Sequence, residues 1–289
     1  MTSIHEILCT IVFKYLNFHD KHTFKRLRKF MNHEHITDLF NIERKYLRKL
    51  DDKILSNYKF AVKLDACANS KISHVNHMIK LKVLDACDGC GIGDGGIKNI
   101  NLERLDISNN PKIGIVNHMT NLKELIAVSN HRIDDNCIKN INLEIFNAYK
   151  CSRITNVNHM TNLKVLIAGG FNGDCGIGDD GIKDINLEKL EASCNQKISN
   201  VNHMTNLKEL LARNDCGIDD RGIININLEK LDADCNPRIT NVNHMTNLKV
   251  LSACRNCGID DDGIKDINFD KLCKFYPIFN HKITKKMIC

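Results

Sequence analysis

Val-Asn-His-Met-Thr-Asn-Leu-Lys stands at 116–123 and recurs at 157–164, 201–208 and 242–249, with a degenerate copy, Val-Asn-His-Met-Ile-Lys-Leu-Lys, at 75–82. The starts are 41, 41, 44 and 41 residues apart. A period of this size is one supersecondary unit stacked on copies of itself, since a single unit cannot bury its own apolar face. Each period also halves. Apolar anchors fall at Leu64, Leu84, Leu105, Leu125, Phe146, Leu166, Leu190, Leu210, Leu231, Leu251 and Leu272, in steps that alternate 20 and 21 with one step of 24. The chain therefore reads as a stack of about eleven short coils.

The coil from Leu228 runs Leu228-x-x-Leu231-x-Ala233-x-x-Asn236-x-x-Ile239-x-x-Val242-x-x-Met245. Leu231 and Ala233 alternate with charged neighbours, the period-2 mark of a strand with one buried face. An inward Asn at the strand's end bonds backbone groups left unpaired where the chain turns. Asn69, Asn110, Asn130, Cys151, Asn195 and Asn256 are read as its equivalents. The every-third-residue run Ile239, Val242, Met245, Leu248 suits extended or 3₁₀ backbone better than an α-helix. The 21-residue coils return differently: Ile259-Asp-Asp-Asp-Gly-Ile264 predicts an Asp-capped helical turn. The whole pattern, L-x-x-L-x-L-x-x-N/C with Ala as third apolar residue, resembles the leucine-rich repeat. The resemblance implies an α/β solenoid with a parallel sheet. At the far end, Asn280-x-x-Ile283 echoes Asn236-x-x-Ile239, so the stretch from Phe275 is expected to close the last coil.

The 289 residues are 43% hydrophobic with net charge +6, ample for a folded core. Residues 1–60 hold 12 Lys/Arg against 7 Asp/Glu, 61–269 hold 24 against 27, and 270–289 hold 5 against 1. A slightly acidic repeat body argues against nucleic acid as partner. The apolar stretch Ile4 to Leu16 contains His5, Glu6 and Lys14 and is too short to span a bilayer, so neither membrane nor secretion is expected. A cytoplasmic location follows, and the 14 cysteines are read as reduced.

Several motifs invite chemistry and are better explained by repetition. Gly91-Ile-Gly93-Asp-Gly95-Gly96 and Gly176-Ile-Gly178-Asp-Asp-Gly181 match a dinucleotide fingerprint but align with Gly217-Ile-Asp-Asp-Arg-Gly222 and Gly258-Ile-Asp-Asp-Asp-Gly263 as one repeat turn. Cys87-x-x-Cys90 and Cys254-x-x-Cys257 resemble halves of a zinc site, yet eight coils at strand spacing separate them by roughly 40 Å. Cys90, Cys175, Cys216 and Cys257 read as a column of small buried residues. His77, His118, His159, His203 and His244 form another column, with neighbours roughly 10 Å apart, too far for one metal. The aspartate runs lack the alternating ligands of a calcium loop and read as caps. No nucleophile–base pair converges, so neither catalysis, cofactor nor metal is expected.

The first 58 residues differ from the repeats at 59–289. Ile4, Ile7, Leu8, Ile11, Val12, Tyr15 and Leu16 trace a helical stripe, opened by the capping pair Ser3 and Glu6. A second helix is expected around Phe24, Leu27 and Phe30, and a third from about Glu34 with Leu39, Phe40, Tyr46, Leu47 and Leu50 inward. Glu6-Ile7-Leu8-x-x-Ile11-x-x-Lys14-Tyr15-Leu16-x-x-x-Asp20, then Phe24, Leu27 and Arg28-Lys29-Phe30, resembles an F-box, although His5 stands where that family has Pro and its late Trp is missing. The order of F-box-like helices and then repeats is that of F-box/leucine-rich-repeat proteins. The whole chain is also similar to such proteins of giant amoeba-infecting DNA viruses, which would place it in the host cytoplasm. The resemblance implies a non-enzymatic adaptor of an SCF-type (Skp1–cullin–F-box) ubiquitin ligase. Glu6, Ile7, Ile11, Tyr15, Leu16 and Asp20 would meet a Skp1-like adaptor, and the repeats would capture a target protein. The alternative is a stand-alone leucine-rich-repeat scaffold whose N-terminal helices only cap the stack.

The target's seat is read on the solvent side of the strands. Asp65, Asp85 and Asp106 form an acidic stretch. Ile126, Val128, Ile145, Asn147, Tyr149, Val165 and Ile167 form an apolar cluster with one amide. An apolar patch beside charge is a usual protein-binding surface. The insertion Gly169-Gly170-Phe171-Asn172-Gly173 is the segment able to fold over it. The chain is expected to act as a monomer.

Overall fold

The computed structural model describes residues 38–40, 44–171 and 174–284. Compactness divides the chain into two units, 1–122 and 123–289. In the first lie β1 (Asp38–Leu39), α1 (Arg44–Leu47), α2 (Asp52–Leu55), β2 (Lys63–Asp65), β3 (Val83–Asp85), α3 (Asp94–Ile97) and β4 (Arg104–Asp106). Its strands pair in parallel and in chain order, with Leu39, Leu64, Leu84 and Leu105 side by side and buried.

The second unit repeats the scheme. It holds β5 (Glu124–Ile126), α4 (Asp135–Ile138), β6 (Ile145–Asn147), β7 (Val165–Ile167), α5 (Asp179–Ile182), β8 (Lys189–Glu191), β9 (Glu209–Leu211), α6 (Asp220–Ile223), β10 (Lys230–Asp232), β11 (Val250–Ser252) and β12 (Lys274–Tyr276), with 3₁₀ turns at Asp262–Ile264 and Phe269–Lys271. Leu125, Phe146, Leu166, Leu190, Leu210, Leu231, Leu251 and Phe275 stand in one register. Three residues per strand suffice because each coil needs only one inward anchor between two bends.

Three expectations need correction. The last anchor is Phe275 and not Leu272, because Phe275 pairs with Leu251 while Leu272 ends a 3₁₀ turn half-buried. Leu39 lies in a strand beside Leu64, so the helix expected from Glu34 does not run through 38–40. The turn column holds Cys257 and not Asn256: Cys257 is buried and Asn256 exposed. Coils whose strand is followed by one extra residue shift the column by one, as at Cys90 and Cys216.

The core within a coil is the run Ile239, Val242, Met245, Leu248, Leu251 and Ala253, each at most 1% exposed. Met245 N donates to Val242 O at 3.0 Å and Leu248 N to Met245 O at 3.2 Å, the i→i+3 bonding expected of 3₁₀ backbone. Burying such side chains stabilises by roughly 1.5–3 kcal/mol each. No coil stands alone, since its apolar side chains pack against those of the coils above and below.

Polar columns also bind coil to coil. Asn236 Nδ2 donates to Ala212 O (2.9 Å) and Ile218 O (3.2 Å), while its Oδ1 accepts from Arg238 N (2.9 Å). Asn69, Asn110, Asn195 and Asn280 repeat this pattern, and all five are buried. Cys151 stands in the same column and makes a single counterpart bond, Sγ to Ala127 O at 2.9 Å.

Every letter of the repeated octapeptide now has a cause. Val, Met and Leu fill the core. The first Asn bridges forward: Asn158 Nδ2 donates to Asp180 O and its Oδ1 accepts from Asp184 N. The His ties backward, since Nε2 of His77, His118, His159, His203 and His244 lies 2.8–3.0 Å from the last carbonyl of the helical turn one coil earlier. A carbonyl oxygen only accepts, so Nε2 carries the proton. Thr161 accepts from Asn142 Nδ2, and Asn162 N donates to Asn142 Oδ1. The closing Lys faces the Glu of the next coil in Lys82–Glu103 (2.7 Å) and Lys123–Glu144 (3.5 Å). Two unlike coils per period place opposite charges in contact down this column, where identical coils would stack like on like.

Candidate functional site

The outward strand face of the second unit carries the expected patch. Ile126, Asn147 and Ile167 stand in one row across β5, β6 and β7, and Ile145 pairs with Val165 in the next. Val128 and Tyr149 occupy a third row just past the strands, where Ser129 N donates to Tyr149 O at 2.9 Å. All seven side chains are accessible: Ile145 is 38% exposed and the others half-buried. Strand pairing fixes the rows, so the patch is presented by rigid backbone. On its β8 side it meets an ion network in which Glu209 bridges Lys189 (3.0 Å) and Lys230 (2.6 Å). Burial pulls the Glu209 carboxyl up, but the two ammonium groups outweigh it and hold the pKa below the usual range.

The 169–173 insertion does not bury the patch through its described residues. Phe171 is 56% exposed, and Lys150 Nζ lies 5.6 Å from its ring and 5.7 Å from that of Tyr149. A side chain on Gly169 would sit 2.9 Å from Ser193 O, so the approach of that backbone oxygen requires glycine, while the Tyr149 ring at 3.4 Å would be in ordinary contact. Burial pushes the Tyr149 phenol above its ordinary pKa.

In the first unit Asp65, Asp85 and Asp106 also form one row. Two of them have structural work that sequence reasoning missed. Asp65 Oδ1 accepts from Cys67 N and Asp106 Oδ1 from Ser108 N, each at 2.9 Å, closing the turn after the strand. Asn147 does the same for Tyr149 N. Asp85 pairs with Arg104 at 2.6 Å, yet burial raises its pKa, with Asp65 and Asp106 adding to the rise. The signal was present as a polar residue two positions before each bend.

The aspartate runs do more than cap. Asp134 and Asp219 accept from the first-turn amides as expected. The residue after each cap reaches the next coil: Asp179 Oδ1 accepts from Ser199 N (2.8 Å) and its Oδ2 from Ser199 Oγ (2.5 Å). Asp52, Asp135 and Asp220 make the same clamp on Ser73, Thr155 and Thr240. Each column histidine bonds its own carbonyl, so the five do not gather at one centre.

The buried-cysteine column stands where expected. Burial pushes the thiols of Cys90 and Cys257 up to about 11 and that of Cys216 to about 12. The expectation that every thiol is reduced fails at one place. Cys67 and Cys87, on successive coils with Cα atoms 4.6 Å apart, form a disulfide. Equivalent positions on adjacent coils lie one ladder spacing apart, within disulfide reach. Asp88 joins the pair to make a group of ligand-type atoms within 4.8 Å of one another. At the far end of the second unit a recess of about 380 Å³ lies between Arg213, Arg255, Ile278 and Phe279. No helix among the described residues is long and apolar enough to cross a membrane. The residues matched to the Skp1-facing motif, Glu6 to Asp20, lie outside the described residues.

In fold the chain is similar to the internalin InlF of Listeria monocytogenes, with TM-score 0.57 and 16% identity over 83% of this chain and 77% of that one. Looser likenesses join it to the yeast Rad7–Elc1 complex (TM-score 0.44, 15% identity, 100% of this chain and 96% of that one) and to the leucine-rich repeat domain of APL1B (TM-score 0.37, 16% identity, 91% and 81%). No protein-family model matches the chain, and no curated protein does. The parallel ladder, the buried Asn column and the internalin likeness make the fold a leucine-rich-repeat solenoid.

Proposed function

We propose that the chain is a non-enzymatic recruiting module that seats a target protein on the outer face of β5–β7. One observation carries this reading: Ile126, Val128, Ile145, Tyr149, Val165 and Ile167 are accessible in contiguous rows on hydrogen-bonded strands. Apolar and aromatic side chains held rigid lose little entropy on binding, and the Lys189–Glu209–Lys230 network supplies a charged rim. Changing Ile126, Tyr149 and Ile167 together to Asp should abolish target capture while leaving thermal unfolding within a few degrees of the parent. Undiminished capture by the folded triple variant would remove the patch from consideration.

The finer reading assigns residues 1–58 to a Skp1-like adaptor through Glu6, Ile7, Ile11, Tyr15, Leu16 and Asp20, making the whole a cytoplasmic, monomeric substrate receptor of an SCF-type ligase with no nucleic-acid partner. Purified Skp1 should then bind the full chain at micromolar concentrations, and Ile11→Asp or Leu16→Asp should each abolish the heat of binding in calorimetry. A second reading, the stand-alone scaffold, draws support from the repeat's bonds reaching into that region. Asp51 caps α2 through Ile54 N, Asp52 clamps Ser73, and Leu55 O accepts from His77. No measurable heat with Skp1 decides for the scaffold.

A further inference from the structure

We propose that once the Cys67–Cys87 disulfide is reduced, Cys67, Cys87 and Asp88 form a site for a thiophilic divalent cation of the zinc class. A disulfide holds its sulfurs at about 2.05 Å. Freed thiols must part to van der Waals contact, about 3.7 Å. Two thiolates on tetrahedral zinc, at about 2.3 Å from the metal, are themselves about 3.7 Å apart. Reduction alone therefore opens the pair to the span the metal requires. The third ligand is already placed: Asp88 Oδ2 lies 3.5 Å from Cys67 Sγ. A zinc-bound thiolate and carboxylate oxygen, at about 2.3 and 2.0 Å from the metal, are about 3.5 Å apart.

The ligands are held from behind. Asp88 Oδ1 accepts from Asn109 Nδ2 at 3.0 Å, leaving Oδ2 for the metal. Asp88 N donates to Ser108 O and Cys67 N to Asp65 Oδ1, each at 2.9 Å, so the backbone at both ligands is fixed. Outer bonds of this kind orient ligands and raise affinity. Asp88 is exposed, and a solvent water completes the tetrahedron. Sulfur donors exclude magnesium and calcium. The chemistry balances: a dithiol reductant supplies two electrons and two protons to give two thiols, becoming a disulfide itself, and the cation then displaces both thiol protons to solvent.

The test is a titration of the full chain with cobalt(II), after reduction and removal of the reductant. One equivalent should give thiolate-to-cobalt charge-transfer absorption that zinc bleaches, and the oxidised chain should give none. Cys67→Ser and Cys87→Ser should each abolish the band. Asp88→Asn, a surface change that leaves the thiols in place, should weaken binding by about 10-fold or more. Cys273→Ser, at an exposed thiol elsewhere, should change nothing. A band that survives in Cys67→Ser or in the oxidised chain, or an Asp88→Asn affinity equal to the parent's, would overturn the proposal.

Discussion

Asn236→Ala is expected to lower the unfolding free energy by about 3–5 kcal/mol, because it orphans two buried backbone carbonyls and one part-buried amide at about 1–3 kcal/mol each. Those groups are Ala212 O, Ile218 O and Arg238 N, and the side chain that serves them is fully buried. Water cannot replace the amide without opening the coil. Asn256→Ala, in the next coil at an exposed position, should stay within about 0.5 kcal/mol of the parent. The two asparagines look alike along the chain, and only the column separates them. Urea unfolding by circular dichroism gives the comparison, and hydrogen exchange at β9–β11 localises it, since coils in a repeat stack can open piecemeal. Equal costs for the two variants would refute the Asn column as a structural device. Cys151 shows what the column tolerates: of the two earlier-coil carbonyls that an Asn serves, its thiol reaches one, Ala127 O.

The period made the fold legible, and the places where sequence reasoning slipped share one cause. In a solenoid the residue beside a given side chain is 20 or 21 positions away, and not three. Along the chain Cys87 reads as the partner of Cys90; its partner is Cys67, three residues past Leu64 as Cys87 is three past Leu84. Asp179 reads as a cap for its own turn, yet its carboxylate holds Ser199 on the next coil. Anchor counting also failed where the step was not 20 or 21. Counting back five from Asn280, as Leu231 lies five before Asn236, leads to Phe275 and away from Leu272. Leu39 was hidden differently, in a stretch with helical spacing and no Asn or Ala to mark a coil. The strand-face patch was legible because solvent-facing positions are simply those between the anchors. Which acidic residues on that face are free was not: Asp65 and Asp106 bond the backbone two residues on, a fact set by the bend and not by composition.

Gly95 and Gly96 are adjacent and should respond oppositely to alanine. A Cβ on Gly96 would lie 2.3 Å from Ser73 O, a backbone oxygen that cannot rotate aside. Relief requires the two coils to separate by about 1 Å, at a cost of about 3 kcal/mol or more for such overpacking. That movement stretches Val75 N to Gly96 O (2.9 Å), Asn76 Nδ2 to Gly95 O (2.8 Å) and Asn99 N to Asn76 Oδ1 (2.9 Å), so the loss propagates across the octapeptide copy at 75–82. A Cβ on Gly95 meets nothing within 4 Å. Gly95→Ala, in the helical turn α3, should therefore stabilise by about 0.5–1 kcal/mol through the lost backbone entropy of glycine. The same close approach recurs at Gly181, Gly222 and Gly263, where a Cβ would meet Thr155 O, Ser199 O and Thr240 O within 2.0 Å. Glycine recurs there because a neighbouring coil occupies the space, which is why the apparent nucleotide fingerprint follows the repeat. Thermal unfolding of the two single variants decides the matter, with the Val75 amide exchanging faster in Gly96→Ala alone. If Gly96→Ala melts no lower than Gly95→Ala, the coils are not packed backbone to backbone at this column, and the close stacking on which the ladder rests is wrong.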